Sequence, residues 1–465
     1  LRGLGILVRR SGKAVVDILP LGHTLWLVLI LVCIQAVGCQ SSATPEVPEA
    51  VTTTAPEEVL VDRITYVDPR GDVFTISPDG TDLRRLTGES LVSNDVGGGP
   101  LASSLQLTNI YTWPTWSPDG TKIAVSQLQA LNNETEISIQ MIDLMDGRVT
   151  TVYTNEEFRL VATGAPHYVY WSPDSRYLGF LIAERLGLTL LVEDTPNPTV
   201  AVKVESNIPL YFQWSPDGES LVLHAGDAIQ MVRKPFDTST PLLMARSQGF
   251  RVPALSPDGT LVAYTMDEPL EEGRPAEHAF LIGQAGTRHQ ADRVLQVGSL
   301  SAFLWSPDGS ELAVADREDL GSPFFQRLRI VSADGVTVRT IVEEQVIAFF
   351  WSPAGEQIAW VSLVPDERLF EWTVASRTGD SIWRIFRFQP SRDVLAMLSF
   401  FDQYAYSHSP WSPDSTRLVV AGTQPSLGGR NGQSPSGDRI FVLDVSGATP
   451  PEEIAAGSLA FWSWN

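Results

Sequence analysis

Short apolar runs recur along this 465-residue chain at a regular spacing. Ile123-Ala-Val125, Leu178-Gly-Phe180, Leu221-Val-Leu223, Leu312-Ala-Val314 and Leu418-Val-Val420 are continuous rather than alternating, which is the pattern of strands covered on both faces. A second run follows in each unit: Ile139–Ile142, Leu188–Val192, Ala279–Ile282, Leu328–Val331 and Ile440–Leu443. Polar turns such as Asp146-Gly147, Asp334-Gly335 and Ser446-Gly447 close several of them. Each unit therefore holds about four strands. No long segment of the repeat region has convincing helical periodicity.

Before each first run stands nearly the same five residues. They are Trp116-Ser-Pro-Asp-Gly120, Trp171-Ser-Pro-Asp-Ser175, Trp214-Ser-Pro-Asp-Gly218, Leu255-Ser-Pro-Asp-Gly259, Trp305-Ser-Pro-Asp-Gly309, Trp351-Ser-Pro-Ala-Gly355 and Trp411-Ser-Pro-Asp-Ser415, at intervals of 55, 43, 41, 50, 46 and 60 residues. Ser-Pro-Asp-Gly suits a type I turn, with Pro supplying its fixed φ and Gly free to turn left-handed just after it. Ser175 and Ser415 replace that Gly, so those turns are expected to be strained or differently shaped. Ala354 replaces the Asp and forfeits a side-chain cap. A four-strand unit at this period is one blade of a β-propeller, so the expected fold is all-β: a single propeller of four-stranded blades.

The two ends of the repeat region complement each other. Arg63-Ile-Thr-Tyr-Val67 reads like a strand that follows a turn motif, but no such motif precedes it. Ser77-Pro-Asp-Gly80, followed by Leu83-Arg-Arg-Leu-Thr87, reads as an outer hairpin instead. Ala460-Phe-Trp-Ser-Trp464 resembles the strand before a motif. Pairing of the N- and C-terminal strands would complete the first blade and remove most exposed edges. Seven motif blades and one composite blade make eight; seven is the alternative if one irregular unit is not a blade.

Trp-Ser-Pro-Asp-Gly units with Leu-Thr blade endings resemble the TolB-like propeller repeat family, over roughly residues 60 to 465. The resemblance implies the fold and leaves function open. Related propellers serve as periplasmic adaptors, peptidase gating domains and carbohydrate-active proteins. Two departures matter: no extra α/β domain fits between Cys39 and the first blade, and a lipobox is not expected of TolB. A partnership with a peptidoglycan-associated lipoprotein is therefore not carried over.

The chain start differs from the repeats. Arg2, Arg9, Arg10 and Lys13 precede the apolar run Leu25–Ile34, and Ala36-Val-Gly-Cys39 follows. Basic, apolar and small-residue zones in that order form a secretion signal. Its last four residues resemble a bacterial lipobox, with Cys39 as the lipidated residue; Ala36 departs from the usual Leu. The alternative is an uncleaved anchor over residues 18–38, whose apolar run is short for a span. Leu1 in place of Met suggests an alternative start codon or a truncated record. Residues 1–38 are thus read as signal, 39–58, rich in Ser, Thr, Pro and Glu, as a flexible tether, and 59–465 as propeller. The only cysteines are Cys33 and Cys39, so the propeller has no disulfide and no thiol nucleophile.

Charge narrows the partners. The formal charge is −22. Without residues 1–38 the chain keeps 29 basic and 54 acidic residues, or −25. This disfavours direct contact with nucleic acid or anionic lipid. The expected partner is a protein of the cell envelope, with membrane contact through the lipid and a glycan as a further ligand class.

Candidate chemistry is sparse. No Gly-x-Ser-x-Gly elbow occurs, and Gly432–Gly437 misses its spacing. The histidines His23, His167, His224, His278, His289 and His408 show no close helical pairing, and no metal or cofactor is expected. Asp119, Asp174, Asp217, Asp258, Asp308 and Asp414 sit inside identical turns, which gives them a structural role. The repeated Trp residues are expected to fill the gaps between blades. Function is expected where the repeats differ, in the segments entering the innermost strands. Tyr111, Trp113, His167, Tyr168, Arg251, Tyr404 and His408 form the candidate binding set, with Tyr211 and Tyr406 beside them. Gly88–Thr112, Met266–His278 and Gly422–Arg439 are long insertions that suit mobile loops. The first reading is a non-enzymatic, lipid-anchored platform for a protein partner. The alternatives are a carbohydrate-binding or -cleaving propeller, with His167, His408 and Arg251 converging on the channel, and an accessory subunit of a peptidase.

Overall fold

The computed structural model describes residues 61–88, 108–131, 134–155, 166–185, 187–198, 200–236, 241–247, 252–268, 277–288, 291–318, 322–425 and 437–465. The chain divides into residues 1–47 and 48–465, and all the described residues belong to the second unit. The expected signal, Cys39 and tether lie outside them, as do most residues of the three long insertions.

Antiparallel four-stranded sheets follow one another along the chain. Blade 1 is composite, as expected: Ile64–Val67 pairs with Val73–Ile76 on one side and with the C-terminal Leu459–Trp462 on the other. Ser77–Gly80 is the turn to its outer strand, Arg84–Arg85. Blades 2 to 7 start at the innermost strands Thr108–Trp116, Pro166–Trp171, Leu210–Trp214, Ala254–Leu255, Leu300–Trp305 and Ala348–Trp351. In blade 8 the innermost strand is reduced to two bridges, Trp411 to Leu418 and Ser409 to Trp462 of blade 1. Its other strands join the outer strand of blade 7 through Gln389–Thr423 and Pro390–Gly422. The described residues thus form eight blades in a closed ring. A side chain on Gly422 would meet the Gln389 carbonyl at 2.2 Å, so only glycine allows that junction.

The repeated motif explains how the blades lock. Each indole N–H reaches back one blade to the carbonyl just before the equivalent position: Trp171 to Thr115, Trp214 to Tyr170, Trp305 to Ala254, Trp351 to Leu304 and Trp411 to Phe350, at 3.0–3.3 Å. These rings are buried and fill the space between sheets, as expected. Leu255 has no N–H to give. The indole N–H groups of Trp116, on blade 2, and of Trp462, in the closing strand itself, are buried without an acceptor.

The turns nest in the same direction. A Cβ on Gly259 would touch Pro216 of the preceding turn at 3.1 Å, and one on Gly309 would touch Pro257 at 3.4 Å. Ser175 and Ser415 do not change the turn's shape: their φ angles, +58° and +63°, match the left-handed glycines. Their hydroxyls accept the N–H of Asp119 and Ala354 in the preceding turns, both at 2.9 Å. The strain of an L-residue there is offset by a contact glycine cannot make. Asp119, Asp217, Asp258, Asp308 and Asp414 each accept from the motif serine and from backbone N–H two residues on, the structural role expected of them.

One element departs from the expected pattern. Between blade 7 and the inner strand of blade 8 lie two short helices, α1 (Arg392–Leu398) and α2 (Phe401–Tyr404). Ser391 caps α1 by accepting the Val394 N–H at 3.1 Å, and Ser458 of blade 1 donates to Asp393 at 2.6 Å.

Candidate functional site: the insert across the channel

The innermost strands end at the Ser-Pro-Asp-Gly turns, so the segments entering them lie at the other end of the ring. The insert Ser391–His408 enters there and touches most of the blades. Phe401 packs edge-on against Phe325 of blade 6 and Phe349 and Phe350 of blade 7, at 6.0, 4.8 and 5.9 Å. Tyr404 stacks on Trp113 of blade 2 at 4.8 Å and meets Tyr168 of blade 3 edge-on at 5.2 Å. The Tyr168 hydroxyl donates to the Gln403 carbonyl at 2.8 Å. His408 lies 4.5 Å from the Phe461 ring of blade 1. The insert therefore lies across this end of the channel, held by aromatic contacts on opposite sides of the ring.

Four of the candidate residues come together here: Trp113, Tyr168, Tyr404 and His408. Trp113 is half-buried, with φ +54° at a bulge between Thr112 and Thr115. The bulge turns its ring towards Tyr404 and His408. Tyr168 and Tyr404 are buried, and burial pushes the Tyr168 hydroxyl well above its ordinary pKa. Tyr111 stands apart: half-buried, it accepts from Gln127 Nε2 at 3.1 Å, and its backbone N–H donates to Gly71 of blade 1 at 2.7 Å. His167 falls in the first strand of blade 3 beside a bulge, and its side chain lies outside the described atoms. Arg251 and Cys39 lie outside the described residues altogether.

His408 serves the interior rather than a ligand. It is 1 % exposed, and its Nδ1 and Nε2 pair with the Ser407 and Thr115 hydroxyls at 2.7 and 3.0 Å. Burial alone lowers its pKa to about 3, so the ring is neutral at physiological pH. The expected convergence of His167, His408 and Arg251 on a ligand thus loses His408 to packing.

A residue that sequence reasoning missed is Asp402. It lies on α2 between Phe401, packed on blades 6 and 7, and Gln403, bonded to blade 3. Burial raises its carboxyl to about 6, against the N–H groups of its own backbone and of Gln403, which lower it. Its charge opposes ionisation of Tyr211 on blade 4 and of Tyr406. No described cation pairs with it. One polar atom of the same segment, Gln403 Nε2, is buried without a hydrogen-bond partner. The signal that could have located the insert is the 60-residue interval before Trp411, the longest of the series. Ser391 followed by Val394, Met397, Leu398 and Phe401 is also a capped helical pattern.

Comparisons with known proteins support the fold. No protein-family model matches the chain, and no curated protein matches it. Among solved structures, the dihydro-heme d1 dehydrogenase NirN is similar at TM-score 0.53 and 10% identity, covering 90% of this chain and 78% of that one. A prolyl endopeptidase is similar at TM-score 0.50 and 12% identity, over 77% of this chain and 50% of that one. TolB from Acinetobacter baumannii is among the neighbours at 16% identity and TM-score 0.36, over 74% and 83% of the two chains. For NirN and the prolyl endopeptidase the likeness at these identities is one of fold. Among the described residues no helix is long and apolar enough to cross a membrane, and no group of three or more His, Cys, Asp or Glu residues could hold a metal.

Proposed function

We propose that this protein is an extracytoplasmic propeller, tethered to a membrane by a lipid on Cys39, that binds a protein partner of the cell envelope. The observation that carries the reading is the order of zones before the ring. A basic start, an apolar run and Ala36-Val-Gly-Cys39 lead into a Ser/Thr/Pro/Glu tether and then a closed propeller. The half-buried aromatics Tyr111 and Trp113, on the insert side of the ring, suit a protein surface. Binding is favoured over sugar chemistry because His408, which the catalytic reading needs, is enclosed and already hydrogen-bonded on both nitrogens.

The test has two arms on the full-length chain. Metabolic labelling with a palmitate analogue should mark the wild type and not Cys39→Ser. Crosslinked capture from native membranes should then enrich one envelope protein with both forms, and the purified pair should bind. Labelling that survives Cys39→Ser would remove the anchor. Failure of any captured protein to bind in purified form would remove the platform.

A further inference from the structure

The insert differs from the strands around it in where its backbone hydrogen bonds go. At its two ends the chain is fixed to blades 8 and 1. The Ser391 N–H donates to the Ala421 carbonyl at 3.2 Å, the Val419 N–H to the Pro410 carbonyl at 2.8 Å and the Trp462 N–H to the Ser409 carbonyl at 3.1 Å. Between these points, among the described residues, no backbone–backbone hydrogen bond joins Arg392–Ser407 to the ring. The segment bonds to itself instead: Ser399 donates to Leu395, Tyr404 to Phe400, Ala405 to Phe401 and Ser407 to Tyr404. Side chains hold it on the ring. The Ser458 hydroxyl of blade 1 donates to Asp393 on α1 at 2.6 Å, and the Tyr168 hydroxyl of blade 3 donates to the Gln403 carbonyl on α2 at 2.8 Å. Phe401 and Tyr404 add the ring contacts to blades 2, 3, 6 and 7.

This difference bears on what can move. A blade strand leaves its sheet only by breaking a ladder of backbone bonds, whereas the insert can leave the ring by parting side chains and keep the ladders whole. Helices of seven and four residues do not hold in water by themselves. Burial of Val394, Met397, Leu398, Phe401 and Tyr404 is therefore what keeps them formed and the insert shut. A segment tied in this way opens at lower cost than global unfolding. We propose that Arg392–Ser407 is a hinged plug, pivoting at Ser391 and Ser409, that opens while the ring stays folded and uncovers the face of Trp113 on which Tyr404 is stacked. What then takes that face is an aromatic or apolar side chain of the envelope protein, a step that rests on the protein-partner reading; the opening itself does not.

Hydrogen–deuterium exchange of the full-length protein without any partner tests the opening. Peptides from Arg392–Ser407 are compared by mass spectrometry with the buried strand Glu311–Arg317 of blade 6. In the wild type the hydrogen-bonded amides of the insert should exchange about tenfold faster or more than those of the strand. Tyr168→Phe and Ser458→Ala each remove one hydroxyl tie, one on each helix. Each should speed exchange of the insert by about three- to tenfold, the loss of one hydrogen bond, and leave blade 6 unchanged. The proposal is overturned if the wild-type insert exchanges no faster than blade 6, if either variant leaves the insert's rate unchanged, or if a variant speeds both sets alike. None of these rates depends on a captured protein, so failure of the plug and failure of the partner reading are told apart.

Discussion

Replacing Asp402 by Asn should stabilise this protein, and the gain should vary with pH in a defined way. The folded carboxyl titrates near 6, against 3.8 for the free group. A raised folded pKa means that the folded state holds the proton more tightly than the unfolded state. The favourable contribution is therefore fully present below about pH 3.8 and is lost as pH rises through 6. Above pH 7 the ionised, poorly solvated carboxylate costs about 3 kcal/mol at most, from a shift of about two units at 1.36 kcal/mol each. Asn keeps an oxygen for the Gln403 N–H, which Asp402 accepts at 3.1 Å, and removes the charge. Taking ~2.1 cal/mol/K per residue for the unfolding entropy of roughly 400 residues, the gain at pH 8 is about 3–4 °C in melting temperature. It should shrink through pH 6 and disappear near pH 4. His408 loads the same pH range in the opposite sense, because its folded pKa is lowered and the unfolded chain takes up a proton below 6.5. That term is common to both proteins and cancels in the difference. Thermal melts of the pair at five pH values between 4 and 8 settle the matter. A gain that does not change with pH, or a loss at pH 8, would refute the assignment of a charge to this site.

Other perturbations probe the ring and its closure. Trp305→Phe removes an N–H donor from the Ala254 carbonyl at 3.0 Å, whereas Trp116→Phe removes one that has no acceptor. Both rings are buried, so chemical denaturation should show Trp305→Phe costing about 1–3 kcal/mol more, the penalty of an orphaned carbonyl; equal losses would count against the inter-blade bond. Gly422→Ala forces a Cβ onto the Gln389 carbonyl and should destabilise by about 2 kcal/mol or more, or prevent folding, as read by yield and circular dichroism. His408→Gln should flatten the fall in stability between pH 6.5 and 4, where the wild type loses up to about 1.4 kcal/mol per pH unit through this ring; an unchanged slope would mean that His408 is already protonated when folded.

What was legible in the sequence is whatever repeats. The Trp-Ser-Pro-Asp-Gly turn fixes a hairpin by local chemistry alone, and seven copies fix a ring. Even the missing strand could be placed, because Ala460–Trp464 and Arg63–Val67 are each half of a unit. The sequence could not show that the indole N–H groups reach back one blade, since their acceptors are carbonyls and every residue has one. Of the two outcomes expected at Ser175 and Ser415, strain is found and a changed shape is not, for a related reason. Their cost is local and visible, while their compensating bond is to the turn of another blade, 56 and 61 residues away.

The candidate site failed to be legible in a more instructive way. Several of the aromatic residues before the motifs are packed together in the structure. Trp113, Tyr168, Tyr404 and His408 do meet, but they meet each other, because the chain supplies its own occupant for that end of the channel. An aromatic ring and a buried histidine look the same in sequence whether they await a ligand or grip a neighbouring segment. What separates the two cases is satisfaction: His408 has both nitrogens bonded and the Tyr168 hydroxyl is bonded too, whereas Gln403 Nε2 is not. Tyr168, Tyr404 and His408, buried in these contacts, are therefore poor candidates for recognition, whereas the half-buried Trp113 keeps an accessible edge. Gln403, with its side-chain N–H groups unspent, and Asp402, with no cation partner among the described residues, lie on the insert itself, where no repeat could have pointed to them.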